Sequence, residues 1–206
     1  MWWLAIPLCL VVVEPSGGFE QETLYAGDID HGGFGAPVVK MTQIADEFGV
    51  IVGARGGWII DHSLIVGGGV YGMATHNMEL DTEEIGGDPD LEYHLEMGYA
   101  GFELEYLMQP HRLVHASLHA LIGGGGVAYL EGGPDGHWND EDVDVLSSDG
   151  FFIAEPGMNL ELNVARPFRV ALGAGYRFVS DVDLPGLADD DLSGFTTTVA
   201  LKFGSF

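Results

Sequence analysis

The stretches FFIAEPGMNLELNV (Phe151–Val164) and FRVALGAGYRFVS (Phe168–Ser180) are separated by only three residues, Ala165–Pro167. In the first, even positions carry Phe152, Ala154, Pro156, Met158, Leu160, Leu162 and Val164. Odd positions carry Phe151, Ile153, Glu155, Gly157, Asn159, Glu161 and Asn163. The second repeats the pattern: Phe168, Val170, Leu172, Ala174, Tyr176 and Phe178 oppose Arg169, Ala171, Gly173, Gly175, Arg177 and Val179. A period of two predicts β-strands with different environments on their two faces, and the three-residue link predicts a hairpin. One face is continuously apolar. The other mixes charge with glycine. A solvated outer face should carry mainly Lys, Glu, Asp, Ser and Thr. Glycine beside charge fits instead the inside of a narrow barrel, where a missing side chain leaves room for a long neighbour.

Extending the same reading predicts eight strands: Gly33–Thr42, Glu47–Ile60, Leu64–Asn77, Tyr93–Met108, Leu113–Leu130, Phe151–Val164, Phe168–Ser180 and Gly194–Phe206. In Tyr93–Met108 the apolar parity switches near Gly101, from Leu95, Met97 and Tyr99 to Phe102, Leu104 and Tyr106, so a glycine bulge is expected there. Asp61–Ser63, Gln109–Arg112 and Ala165–Pro167 read as tight turns. Met78–Glu92, Glu131–Gly150 and Asp181–Ser193 read as long acidic loops. Short turns at one end and long loops at the other describe an all-β, eight-stranded antiparallel up-and-down barrel. An even strand number puts both chain ends on the short-turn side.

The distribution of charge decides between a soluble and a transmembrane β-barrel. The chain of 206 residues holds 32 acids against 7 bases, a net charge of −25. Clustered Lys and Arg are what phosphate backbones require, so a nucleic-acid partner is excluded. Lys40, Arg55, Arg169, Arg177 and Lys202 fall on the polar parity of strands, together with Glu96, Glu103, Glu105, Glu155 and Glu161. Arg112 and Arg166 fall in tight turns. Five bases and five acids facing one lumen would form an ion-pair network, because buried charges must be paired. With the apolar faces outward, the barrel belongs in lipid.

The start, MWWLAIPLCLVVVEPSGG, has an apolar run from Trp2 to Val13, too short to span a bilayer as a helix. It reads as a signal peptide over residues 1–18, lacking a base before the apolar core, followed by an N-terminal periplasmic segment, 19–32, and the barrel, 33–206. Cys9, the chain's one cysteine, lies in the leader, so no disulfide is expected in the exported protein.

In topology, face parity and its final aromatic residue, Phe206, the chain resembles the small eight-stranded outer-membrane barrels typified by the transmembrane domain of OmpA and by OmpX. The resemblance covers Gly33–Phe206. It implies a monomer in the bacterial outer membrane, with outer-membrane lipid and the barrel-assembly machinery as partners and Phe206 as part of the assembly signal. Phe203 and Phe206 are out of step by an odd spacing, so a bulge at Gly204–Ser205 or a final turn is expected.

Three further patterns bear on chemistry. His115, Ser117 and His119 share one parity, and His-x-Ser is similar to the pair in outer-membrane lipid A deacylases, which makes a lipid-modifying enzyme the first rival reading. Parity and the nearby tight turn place these residues in the lumen at the turn end, which favours polar filling over catalysis. Asp140, Asp142 and Asp144 open like a calcium loop, but Val145 replaces the turn glycine and Phe151 the bidentate acid, so loose divalent-cation association with the acidic loops is expected rather than a metal site. Trp58 at the turn end, and Tyr71, Tyr129 and Phe151 towards the loop end, would suit aromatic girdles. No catalytic residue, metal site or cofactor is assigned. A narrow pore is the second rival; balanced charge filling the lumen argues against it.

Overall fold

In the computed structural model residues 30–75, 85–87, 93–131 and 145–206 are described. The signal peptide, nearly all of the 19–32 segment and the Asp140–Asp144 acidic run lie outside them. Eight strands form: β1 (His31–Ile44), β2 (Glu47–Ile60), β3 (Leu64–Met73), β4 (Tyr93–Met108), β5 (Val114–Glu131), β6 (Val145–Ala165), β7 (Phe168–Ser180) and β8 (Gly194–Ser205). Each pairs antiparallel with the next, and β8 pairs back to β1, which closes the barrel. Closure leaves no sheet edge.

The period of two sets the faces. On the outside stand Val52, Val66, Val70, Phe102, Leu104, Ile122, Met158, Leu160, Leu172 and Leu201, all exposed. Phe102 is 82% exposed and Phe195 81%. Aromatic residues gather at both rims of this belt. Tyr176 packs on Phe178 and Phe195 near the loop end, and Phe168 stacks on Phe203 near the turn end. Trp58 also faces outward there. Tyr71, Tyr129 and Phe151 do not belong to a girdle: all three are buried in the lumen.

The parity change in β4 is not a bulge. Pairing runs without a shift from Gly72↔Gly98 to Leu64↔Tyr106 on one side and through Gly101↔Gly123 on the other. Leu95, Met97, Tyr99, Glu103 and Glu105 therefore all point inward. What changes along β4 is the character of the lumen, apolar near the loops and charged near the turns. Glu96 takes the opposite parity from Glu103 and Glu105 and faces outward, so it is not part of the lumen.

The β7–β8 connection, expected as an acidic outer loop, folds over the loop end of the lumen. Leu184, Leu187 and Leu192 are buried against Ile44, Ile51, Leu95, Tyr129 and Ile153 in one apolar cluster. Its short helix α1 (Asp189–Leu192) presents three aspartates in the first turn, the favoured end for negative charge. Tyr129 donates to the Pro185 carbonyl at 2.9 Å. Ala45 donates its N–H to the Asp191 carbonyl at 2.8 Å, tying this lid to the β1–β2 turn.

Two prolines interrupt the wall. The β1–β8 pairing skips Ala36 and Pro37, and the β6–β7 pairing skips Glu155 and Pro156. Proline has no N–H to donate to a ladder. The β7–β8 hairpin is thus bounded on both sides by a break.

Glycines inside the lumen are there for space. A Cβ on Gly125 would lie 2.5 Å from the Phe151 ring and 2.6 Å from the Tyr99 Cβ, whereas one on the outward Gly72 would meet nothing within 4 Å. Gly125→Val should overpack the lumen and lower folding stability by about 1–3 kcal/mol or more. Gly72→Val should leave it nearly unchanged, with urea unfolding midpoints as the measurement.

A candidate functional site in the lumen

Eight strands enclose a space that side chains must fill. Here β1, β2, β7 and β8 deliver cations, and β4 and β6 deliver carboxylates. Nearest the turn end, Lys202 bridges Glu105 at 2.8 Å and Glu161. Arg169 lies 4.0 Å from Glu161, and His115 Nε2 lies 3.5 Å from it. One layer up, Arg55 spans Glu103 at 3.3 Å and Glu105 at 3.4 Å. The hydroxyl of Ser117 donates to Glu105 at 2.5 Å. The Asn159 amide donates to both Glu105 and Ser117 at 3.0 Å. Midway, Tyr71 donates to Glu103 at 2.5 Å. Lys40 donates to both Glu155 oxygens at 2.8 and 2.9 Å, and stands 3.8 Å above the Tyr71 ring centre. Tyr71 and Tyr99 stack at 5.0 Å and connect the two halves of the network.

These groups are all buried. Desolvation penalises each charge by several kcal/mol, and only good geometry with further hydrogen bonds offsets it. Glu105 meets that demand with four donor residues: Arg55, Lys202, Ser117 and Asn159.

Arg177 behaves differently from expectation. It is fully buried at 0% exposure, yet its guanidinium donates to backbone carbonyls, of Leu192 at 2.6 Å and Gln43 at 3.3 Å. With Glu96 outside, the described lumen holds five Lys and Arg against four Glu, and Arg177 is the cation whose hydrogen bonds go to carbonyl oxygens instead of a carboxylate. Its role is to clamp the lid. Carbonyl acceptors carry no mark in a sequence, which is why parity alone assigns Arg177 to the ion pairs. Four uncharged groups complete the network: Tyr71 and Tyr99, which the sequence pattern places on the outer face, and Asn159 and Thr196 of the inward parity, bonding Glu103, Glu155, Glu105 and Glu155 respectively. Alternation with charged neighbours marks Asn159 and Thr196; nothing in the alternation marks the two tyrosines.

Phe206 follows the last strand without a bulge: Ser205 and Gly204 still pair with Gly33 and Phe34. Its ring turns into the turn-end mouth of the lumen, 3.9 Å from the Arg169 guanidinium and 6.3 Å from the Phe34 ring. Phe203 is the one that faces outward.

The His115–Ser117 pair is not arranged as nucleophile and base. Ser117 is 0% exposed, and its hydroxyl is engaged by Glu105, Glu161 and Asn159. His115 faces Glu161. Among the described residues no group of His, Cys, Asp and Glu is placed to hold a metal ion.

Lys40→Met should strand the Glu155 carboxylate and cost about 3–5 kcal/mol. Lys40→Met/Glu155→Leu should recover most of that loss, because it removes both desolvated charges. Unfolding free energies of the three proteins in one lipid system would check this; equal losses in the single and double variants would contradict it.

No protein-family model matches the chain, and no curated protein matches it in sequence. Among solved structures it is similar to Neisserial surface protein A (NspA), with a TM-score of 0.55 and 10% identity over 87% of this chain and 99% of that one. It is likewise similar to the N-terminal β-barrel domain of Pseudomonas aeruginosa OprF, with a TM-score of 0.50 and 9% identity over 84% and 96%. The chain has the fold of the small eight-stranded outer-membrane β-barrels.

Proposed function

We propose that this chain is a non-enzymatic outer-membrane barrel, exported by its signal peptide, whose lumen is closed and whose work is done by acidic loops at the cell surface. The observation that carries the reading is the inversion of its faces. A continuous apolar belt lies outside, and the charges lie within. Water would reward the opposite arrangement, and lipid rewards this one. The closed lumen is supported by two barriers in series: the ion-pair network below and the leucine-bearing lid above. The surface role rests on the acidic loops. Their charge would attract divalent cations by loose association. Residue 206, at the end of the seam strand, would serve recognition by the assembly machinery, and the barrel would act as a monomer.

The test is migration of the membrane-fraction protein in dodecyl sulfate, unheated against boiled. A heat-dependent shift with outer-membrane fractionation is expected; a soluble protein without a shift would refute the reading. Phe102→Arg, near the middle of β4, should lower stability in vesicles by about 2–4 kcal/mol, while Phe102→Leu should not. In planar bilayers the native barrel should not conduct. Steady conductance that changes in Arg55→Ala would establish a pore instead. Lipid hydrolase activity lost in Ser117→Ala would establish an enzyme.

A further inference from the structure

At the turn end a cavity of about 710 Å³ opens between the β4–β5 turn, the β6–β7 turn and the end of β8. Its lining includes the polar His111, Asn163, Arg166 and Arg169 and the apolar Pro110 and Phe206. Arg169 is buried and held against the Phe206 ring at 3.9 Å. Its Nη1 makes no hydrogen bond and lies 4.0 Å from the Glu161 carboxylate, so donors of the five on the guanidinium remain to be satisfied. Arg166 is exposed in its turn, as is Arg112 in the neighbouring one, and neither forms an ion pair among the described residues. Asn163 fixes the two turns together, donating to the Pro110 carbonyl at 2.8 Å and the Arg112 carbonyl at 2.6 Å. Of the described acids, Glu105 and Glu161 stand in the lumen at this end, bridged by Lys202, with Glu161 4.0 Å from Arg169, while Asp30 and Asp61 stand by the β2–β3 turn, where Asp30 is 3.3 Å from His62.

Three of the chain's seven bases thus gather round one mouth in a protein of net charge −25. The exposed apolar residues Val164 and Phe203 are chain neighbours of the lining residues Asn163, Ala165 and Gly204, so on the membrane reading the cavity would open at headgroup depth. It offers cations for a phosphate and apolar walls for the glycerol and first acyl carbons. We propose that this mouth binds the headgroup of an anionic phospholipid in the leaflet on the turn side, with Arg166 and Arg169 on the phosphate and Arg112 at the rim. The assignment rests on the membrane reading above.

The test uses the full barrel in phosphatidylcholine vesicles carrying spin-labelled phosphatidylglycerol or spin-labelled phosphatidylcholine, with the immobilised fraction read by electron paramagnetic resonance. Migration before heating is checked in the same samples. The wild type should favour phosphatidylglycerol, and Arg166→Gln should reduce that preference roughly fivefold, the effect of one basic residue at a membrane surface. Arg112→Gln should reduce it less, and excess inorganic phosphate should not displace the labelled lipid. Equal association of both labels with a barrel that migrates as folded would overturn the site and leave the membrane reading standing. So would a preference that survives Arg166→Gln, or one abolished by inorganic phosphate. A barrel that fails to insert at all would remove both.

Discussion

Everything in this molecule follows from the need to pair backbone hydrogen bonds without water. A sheet in hydrocarbon cannot leave an edge, so the eighth strand must return to the first. Closing at eight strands fixes a lumen too narrow to stay open and too wide to stay empty. Filling it uses the inward half of every strand. Once the outside is committed to an apolar belt, the polar residues of the strands have nowhere else to go, and their charges must find one another. The ion-pair network is a consequence of closure before it is anything else.

That logic explains how much of the molecule could be read from its residues. Alternation in Phe151–Val164 and Phe168–Ser180 sets both faces of the β6–β7 hairpin, and Glu47–Ile60 and Tyr93–Met108 match β2 and β4 at both ends. The inward placement of Lys40, Arg55, Arg169, Arg177 and Lys202 follows from the same period. Height along the barrel does not. Treating the lumen as polar throughout requires a bulge at Gly101 to bring Leu95, Met97 and Tyr99 outside. The real lumen is apolar at its loop end, and β4 runs straight through. Glu96 lands outside for that reason alone.

The lid leaves no local mark in the sequence. Leu184, Leu187 and Leu192 are scattered among five aspartates, and local composition reads as a solvated loop. Their burial depends on partners from β1, β2, β4, β5 and β6, which no window of sequence contains. Arg177 compounds this, since it holds the lid through carbonyl groups that every residue possesses. Position in the barrel, not residue type, decides whether a lumen arginine finds a carboxylate or a carbonyl.

The breaks at Pro37 and Pro156 give the wall a grain. Each falls where a charged lumen residue stands, Lys202 across from Ala36 on one side and Glu155 on the other; Lys202 bonds Glu105 and Glu161, and Thr196 of β8 bonds Glu155, so side-chain bonds across the lumen hold what the ladder does not. Pulled by a probe attached to its loops, the barrel would not tear strand by strand. The β7–β8 hairpin would come away as one flap along two perforated lines, resisting until the charges of Lys202 and Arg177 gave way.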